Sequence, residues 1–295
     1  MAVKQLHPLF VAELTGIDLA AGIDAKTQRE IERTMDRYAV TVLPDQNLDD
    51  EKQTAFAALY GPLEVSPPVH SRNGGPAAGL RIRNPNIFDV SNLDESGKIL
   101  DLDDQRRAYR QGNELWHTDS SFRQTSATWS MLHARVVPPA GADTEFVDTR
   151  AAYDALPETM KARLEGLVAE HSIWHSRAKH GGYTPTEDER KARPPARHPL
   201  VRQHPGSGRK ALYVASHASH IIGWPEDEGR ALIDELVTFA TQPRFIYAHP
   251  WRRGDLVIWD NRCTMHRATP FESSTHVRDM RRATIIDTTA GIPAA

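Results

Sequence analysis

Apolar positions recur at helical spacing in only a few stretches of the chain, and as short alternating or continuous runs in many more. This predicts a mainly β protein with inserted helices. Over 27–38, Ile31, Met35 and Tyr38 fall at i, i+4 and i+7, an amphipathic helix that Asp24 or Thr27 can cap, with a strand at Val40–Leu43 behind it. Asp50 with Gln53 resembles a capping box for a helix through Phe56 and Leu59 that Gly61-Pro62 stops. A strand is expected over 80–87. Residues 130–137 and 144–147 read as strands around a turn at 138–143, and 149–156 and 158–170 as helices divided at Pro157. Runs at 200–203 and 211–215 flank Pro205-Gly206-Ser207-Gly208, a hairpin signal, and 226–242 reads as a helix with Leu232, Leu236 and Phe239 on one side. The last third returns to short strands at 245–247, 256–259, 263–266 and 282–286. Many short strands with turn punctuation predict a β sandwich or jelly roll.

Two stretches break this pattern. Residues 66–113 contain Gly74-Gly75-Pro76 and a charged tract over 94–110, and 176–198 contain Gly181-Gly182 and Pro194-Pro195. They are expected as long insertions in one domain spanning 1–295, the first a lid or disordered decoration, the second able to cover a pocket. The balance of 36 basic against 39 acidic residues carries no electrostatic footprint for nucleic acid or an anionic membrane surface, so neither partner is expected. One cysteine, Cys263, excludes an internal disulfide framework and fits a reducing cytoplasm. The first residues lack a signal-peptide core and no run reaches transmembrane length, which predicts a cytoplasmic protein.

The chemistry concentrates in Asn113-Glu114-Leu115-Trp116-His117-Thr118-Asp119-Ser120-Ser121-Phe122. In an extended segment, His117 and Asp119 share one face while Trp116 and Thr118 take the other. A second histidine would complete two imidazoles and a carboxylate, a set that suits Fe(II) and leaves coordination positions open. His266 is the best candidate, because alternation in Cys263-Thr264-Met265-His266 turns it opposite to Cys263 and Met265. Such a set offsets only part of a divalent charge, which favours an anionic cosubstrate whose far carboxylate needs a cation. By parity Arg278, Met280, Arg282 and Thr284 share a face and Arg281 points oppositely, with Arg278 and Arg282 roughly 13 Å apart and able to serve two anions.

The blocks Leu115 to Phe122, Pro138 to Phe146, Ala151-Ala152-Tyr153-Asp154-Ala155-Leu156-Pro157, Trp259-Asp260-Asn261-Arg262-Cys263, Met265-His266-Arg267 and Arg281-Arg282-Ala283-Thr284 resemble, in order, the taurine dioxygenase superfamily, and within it the branch acting on aryloxyalkanoates such as 2,4-dichlorophenoxyacetate. The resemblance implies a double-stranded β-helix that holds Fe(II) through His117, Asp119 and His266. It also implies 2-oxoglutarate held by Thr144 and Arg278 with Trp259 nearby, and O2 as co-reactant. Arg282 matches the arginine that receives a small anionic organic substrate, with Arg281 competing if the alignment shifts. Asn113 and His217 match substrate-side positions, and a homo-oligomer is usual in the superfamily. The implied reaction hydroxylates the ether-linked carbon of an aryloxyacetate, releasing a phenol and glyoxylate beside succinate and CO2, a step in aromatic herbicide breakdown. Alternatives are the same chemistry on a sulfonate, alkyl sulfate or aryloxypropionate, a Zn(II) hydrolase using the same ligand types, or a non-catalytic jelly-roll binding protein.

Overall fold

The structure, a computed structural model, describes residues 1–66, 81–179 and 184–288, so Gly74-Gly75-Pro76 and Gly181-Gly182 lie outside it. Strands β1 (Ala2–Gln5) and β2 (Ala12–Thr15) pair antiparallel, and β2 runs parallel to β3 (Val40–Leu43). Between them α1 (Ala25–Tyr38) starts at Asp24, whose carboxylate accepts from the Thr27 N–H. Helix α2 (Asp50–Ala58) is capped by Asp49, one residue before the expected position. Gln53, expected in that cap, is buried and donates to the Met131 and Arg281 carbonyls instead.

The strand expected over 80–87 lies later, as β4 (Phe88–Ser91), and Leu80 is outside the described residues. Pro85 has no N–H for a ladder, and the Ile87 N–H closes a turn on Asn84 instead. Helix α3 (Gln105–Gln111) and the 3-10 turn Gly112–Glu114 then deliver the chain to His117. After β5 (Ala127–Val136) and β6 (Thr144–Asp148) come α4 (Thr149–Asp154) and α5 (Glu158–Leu164), with Pro157 as N-cap. The helix expected to reach 170 stops early because Gly166 takes a φ of 73°, and the chain resumes as β7 (Val168–His171). Helix α6 (Ile173–Lys179) runs into the stretch 176–198 expected as an insertion, α7 (Glu187–Ala192) lies within it, opening on a Thr186–Glu189 capping box, and strand β8 (Ala196–Pro199) closes it. The hairpin forms as expected from β9 (Val201–Gln203) and β10 (Lys210–Leu212). Then come β11 (Ala218–Ile221), α8 (Glu226–Ala240), β12 (Ile246–His249), β13 (Leu256–Asp260), β14 (Thr264–Ala268) and β15 (Asp279–Ile286).

Among the described residues seven strands form the major sheet, in the order β1-β2-β3-β13-β5-β15-β4, and β12-β6-β14 form a minor sheet. The fold is a jelly roll. Phe146 of the minor sheet is buried against Val42, Leu132, Val257, Trp259 and Met280 of the major sheet. On the major sheet's other face Ile31 and Met35 of α1 and Phe56 of α2 pack against Met131, Ile258 and Ala283. Leu256-Val257-Ile258-Trp259 therefore reads as a continuous apolar run because each side of the strand has its own core.

Candidate active site

His117 and His266 are joined through their backbones. The His117 N–H donates to the His266 carbonyl at 2.9 Å and the His266 N–H to the His117 carbonyl at 2.8 Å, an isolated antiparallel bridge that extends the minor sheet beyond β14. Residues paired this way send side chains to the same face, and the two rings lie 4.1 Å apart between centroids. Asp119 follows two positions later, and donor atoms of His117, Asp119 and His266 all lie within 4.8 Å of one another, each residue buried. Ser120, at a φ of 56°, then turns the chain away from the cluster.

The protonation states suit a cation. The Leu115 carbonyl can only accept, so the 2.8 Å contact with His117 Nδ1 puts the proton there and leaves the Nε2 lone pair free. Burial lowers the pKa of both imidazoles, that of His266 well below its ordinary value, which keeps them neutral. Burial alone would raise the Asp119 carboxyl, but Arg282, then the two histidines and a Ser130 hydrogen bond, outweigh it and hold the group ionised. Arg282 Nη1 donates to Asp119 Oδ1 at 2.6 Å and Ser130 Oγ to Oδ2 at 2.7 Å. Behind His266 stand Phe146, stacked at 6.1 Å, and Trp259 at 4.6 Å.

A further arginine is buried. Arg278 is 8% exposed, and among the described residues its guanidinium has no hydrogen-bond or ion-pair partner; burial pulls its pKa down to about 10. Thr144 Oγ1 accepts from the Trp251 indole at 2.9 Å, which leaves the hydroxyl proton for another acceptor. Trp259 has no polar atom to spare, since its indole N–H donates to Asn261 Oδ1 at 3.0 Å, and its ring lies 4.6 Å from that of His266. Parity separates the arginines of β15. Arg282 turns to Asp119, with its buried Nε unpartnered among the described residues, while Arg281 pairs outward with Asp279 and Asp50. Asn113 Oδ1 accepts from Arg177 Nη2 at 3.3 Å, and His217, buried, sits 6.1 Å from the His117 ring with Nδ1 at 3.1 Å from Ser121 Oγ. Ser130, Asn261, Trp251 and Arg177 gained no role from the sequence: three carry no motif, and Asn261 sits in a matched block whose use only the fold reveals.

His204, Asp260 and Cys263 form a second buried cluster with donor atoms within 4.8 Å. His204 Nδ1 accepts from the Ser207 N–H, so Nε2 carries the proton and donates to Asp260, which Arg262 and Trp129 also bind. Burial raises the Cys263 thiol well above its ordinary range. The cluster is a closed ion-pair network rather than a metal site.

A jelly roll that gathers two neutral imidazoles and one carboxylate at a buried cluster fits the class of non-haem metal oxygenases. A family model described as taurine catabolism dioxygenase TauD, TfdA family matches residues 2–284, and the chain belongs to that family. It is a 2-oxoglutarate-dependent non-haem iron dioxygenase. It is 47% identical over 287 residues (97% of this chain, 98% of the relative) to alpha-ketoglutarate-dependent 2,4-dichlorophenoxyacetate dioxygenase of Cupriavidus pinatubonensis. It is 39% identical (92% and 90% covered) to (S)-phenoxypropionate/alpha-ketoglutarate-dioxygenase of Sphingobium herbicidovorans. The crystal structure of AAD-2 in complex with Mn(II) and N-oxalylglycine superposes with a TM-score of 0.89 at 44% identity, covering 98% of each chain. Among the described residues no helix is long and apolar enough to cross a membrane.

Proposed function

We propose that this enzyme hydroxylates the ether-linked carbon of an aryloxyacetate-type acid, with His117, Asp119 and His266 as ligands of Fe(II). Arg278 carries the cosubstrate half of this reading. A buried guanidinium without a counter-ion is costly unless a ligand supplies one, and the far carboxylate of 2-oxoglutarate is such a ligand, with the Thr144 hydroxyl as second donor. N-oxalylglycine, the dicarboxylate bound by the AAD-2 relative, has the same length and charge. When bound, iron, 2-oxoglutarate and O2 supply the oxidation.

The chain's own residues orient the substrate. Arg282 neutralises Asp119 through Nη1 and keeps Nε for an incoming carboxylate, which anchors the acid beside the metal-binding cluster. His217 stands beside the His117 ring and presents an uncharged ring because burial lowers its pKa well below the ordinary value, while Asn113 is held by Arg177. Hydroxylation at the ether carbon makes a hemiacetal that collapses to a phenol and glyoxylate. The lone buried cysteine supports residence in a reducing cytoplasm, and family resemblance supports a homo-oligomer.

The deciding experiment follows phenol and succinate with 2,4-dichlorophenoxyacetate, an (S)-aryloxypropionate and an alkyl sulfate, each with and without 2-oxoglutarate. Phenol and succinate in equal amounts, only when Fe(II), 2-oxoglutarate and O2 are all present, is the expected result. Phenol released without 2-oxoglutarate would overturn the reaction, and succinate formed only with the sulfate would reassign the substrate.

A further inference from the structure

We propose that Asn261 and Ser130 are positioning residues for the metal centre, forming a one-way hydrogen-bond relay from Asn261 through Ser130 to the Asp119 carboxylate. The inference rests on the reading of His117, Asp119 and His266 as metal ligands. Asn261 Oδ1 accepts from two groups that can only donate, the Asp119 backbone N–H at 3.1 Å and the Trp259 indole N–H at 3.0 Å. Flipping the amide would set its NH2 against both, so its orientation is determined and Nδ2 faces Ser130 Oγ at 3.0 Å. A serine hydroxyl has one proton. Receiving a hydrogen bond from Asn261, Ser130 directs that proton to Asp119 Oδ2 at 2.7 Å, with Thr284 Oγ1, 3.3 Å away, as its remaining neighbour.

The contacts form a closed ring. The Asp119 backbone is tied to Asn261 directly, and its carboxylate returns to the same Asn261 through Ser130. The Thr118 hydroxyl, whose single proton lies between the Thr264 carbonyl at 2.8 Å and the Asn261 carbonyl at 2.9 Å, ties the adjacent residue to the same segment. Rotation of the Asp119 side chain would break the ring, and with Ser130, Asn261 and Thr284 all fully buried no bulk water can replace the lost donor. Arg282 pulls on the other carboxylate oxygen, so without Ser130 the group would be free to swing toward the guanidinium. The relay thus orders the carboxylate before a metal arrives. Losing such an outer partner of a metal ligand weakens metal binding by about 10–100-fold.

The test uses metal-free full-length protein, Co(II) titrated against a chromophoric chelator, and the melting temperature of the metal-free form. Ser130→Ala is expected to bind Co(II) about 10–100-fold more weakly than the unaltered protein, and, because it leaves buried polar partners unpaired, to melt at a lower temperature without metal while keeping one cooperative transition. Asn261→Asp keeps the shape and both N–H contacts but replaces the donor to Ser130 with an acceptor, reversing the relay, and is expected to lose at least as much. Ser130→Thr, which retains a hydroxyl, is expected to restore binding. Co(II) affinity unchanged in Ser130→Ala and Asn261→Asp would overturn the relay, as would Ser130→Thr binding as weakly as Ser130→Ala at an unchanged melting temperature. Should Asn261→Asp not fold, the two Ser130 variants decide alone. Failure of the unaltered protein to bind Co(II) would instead overturn the ligand assignment, and the relay with it.

Discussion

Arg278 and Arg282 stand four positions apart on one chain segment, yet their surroundings give them different tasks. The first is buried with no partner among the described residues, the second already paired with Asp119. Arg278→Ala is therefore expected to raise the KM for 2-oxoglutarate by about 100-fold, the size of a lost charge-assisted double contact, while Co(II) affinity stays near that of the unaltered enzyme. A KM within a factor of three would remove Arg278 from the cosubstrate site. Arg282→Ala is expected to raise the KM for the aryloxy acid and to uncouple the reaction, so that succinate outruns phenol; a strict one-to-one ratio would contradict it. Much of this site was legible beforehand, because alternation in an extended segment joins His117 with Asp119 and separates Arg282 from Arg281. Ser130 was not legible, since a lone serine in a strand looks the same whether it touches a ligand or another hydroxyl.

At the scale of elements, the places where expectation and structure part share a cause: a local signal yielded to a contact distant in sequence. Gln53 suits a capping box, but its amide is drawn to two strands of the major sheet, so Asp49 takes the cap. The helix expected through 170 ends at Gly166, a residue whose freedom to take positive φ was present in the sequence but outvoted by good helix formers on either side. Helix α8 offers a test of the same competition. In an isolated helix, replacing glycine by alanine gains about 1 kcal/mol, but a Cβ on Gly229 would lie 2.8 Å from the Ile221 backbone nitrogen. Gly229→Ala is accordingly expected to lower stability by about 1–3 kcal/mol in urea unfolding, the range for overpacking. A stabilised variant would show that α8 can move off β11 at no cost.

For the molecule as a whole, the double core explains why the strand content was readable and the strand order was not. Runs such as Leu256 to Trp259 announce a strand covered on both faces, but β13 lies between β3 and β5, an adjacency that no local pattern encodes. Burial also sets the acid response. His133, His175 and His198 are each pulled down to about 4, chiefly by burial. In the unfolded chain these imidazoles take up protons near pH 6.5, whereas the native molecule refuses them until about pH 4. Stability is therefore expected to fall steadily as the pH drops from about 6.5 toward 4 and to stay level above that window, read as the urea midpoint at pH 8, 7, 5.5 and 4.5. A midpoint independent of pH below 6.5 would contradict this.

The reciprocal backbone pair between His117 and His266 has a consequence for biosynthesis. On the proposed assignment of His117, Asp119 and His266 as iron ligands, a ribosome must have passed residue 266 before the second imidazole exists, so a nascent chain shorter than that lacks the complete set, however much of the N-terminal half has already collapsed. An ion that binds only the completed molecule pulls the folding equilibrium toward it. On that assignment, iron starvation is expected to lower the yield of folded protein as well as turnover.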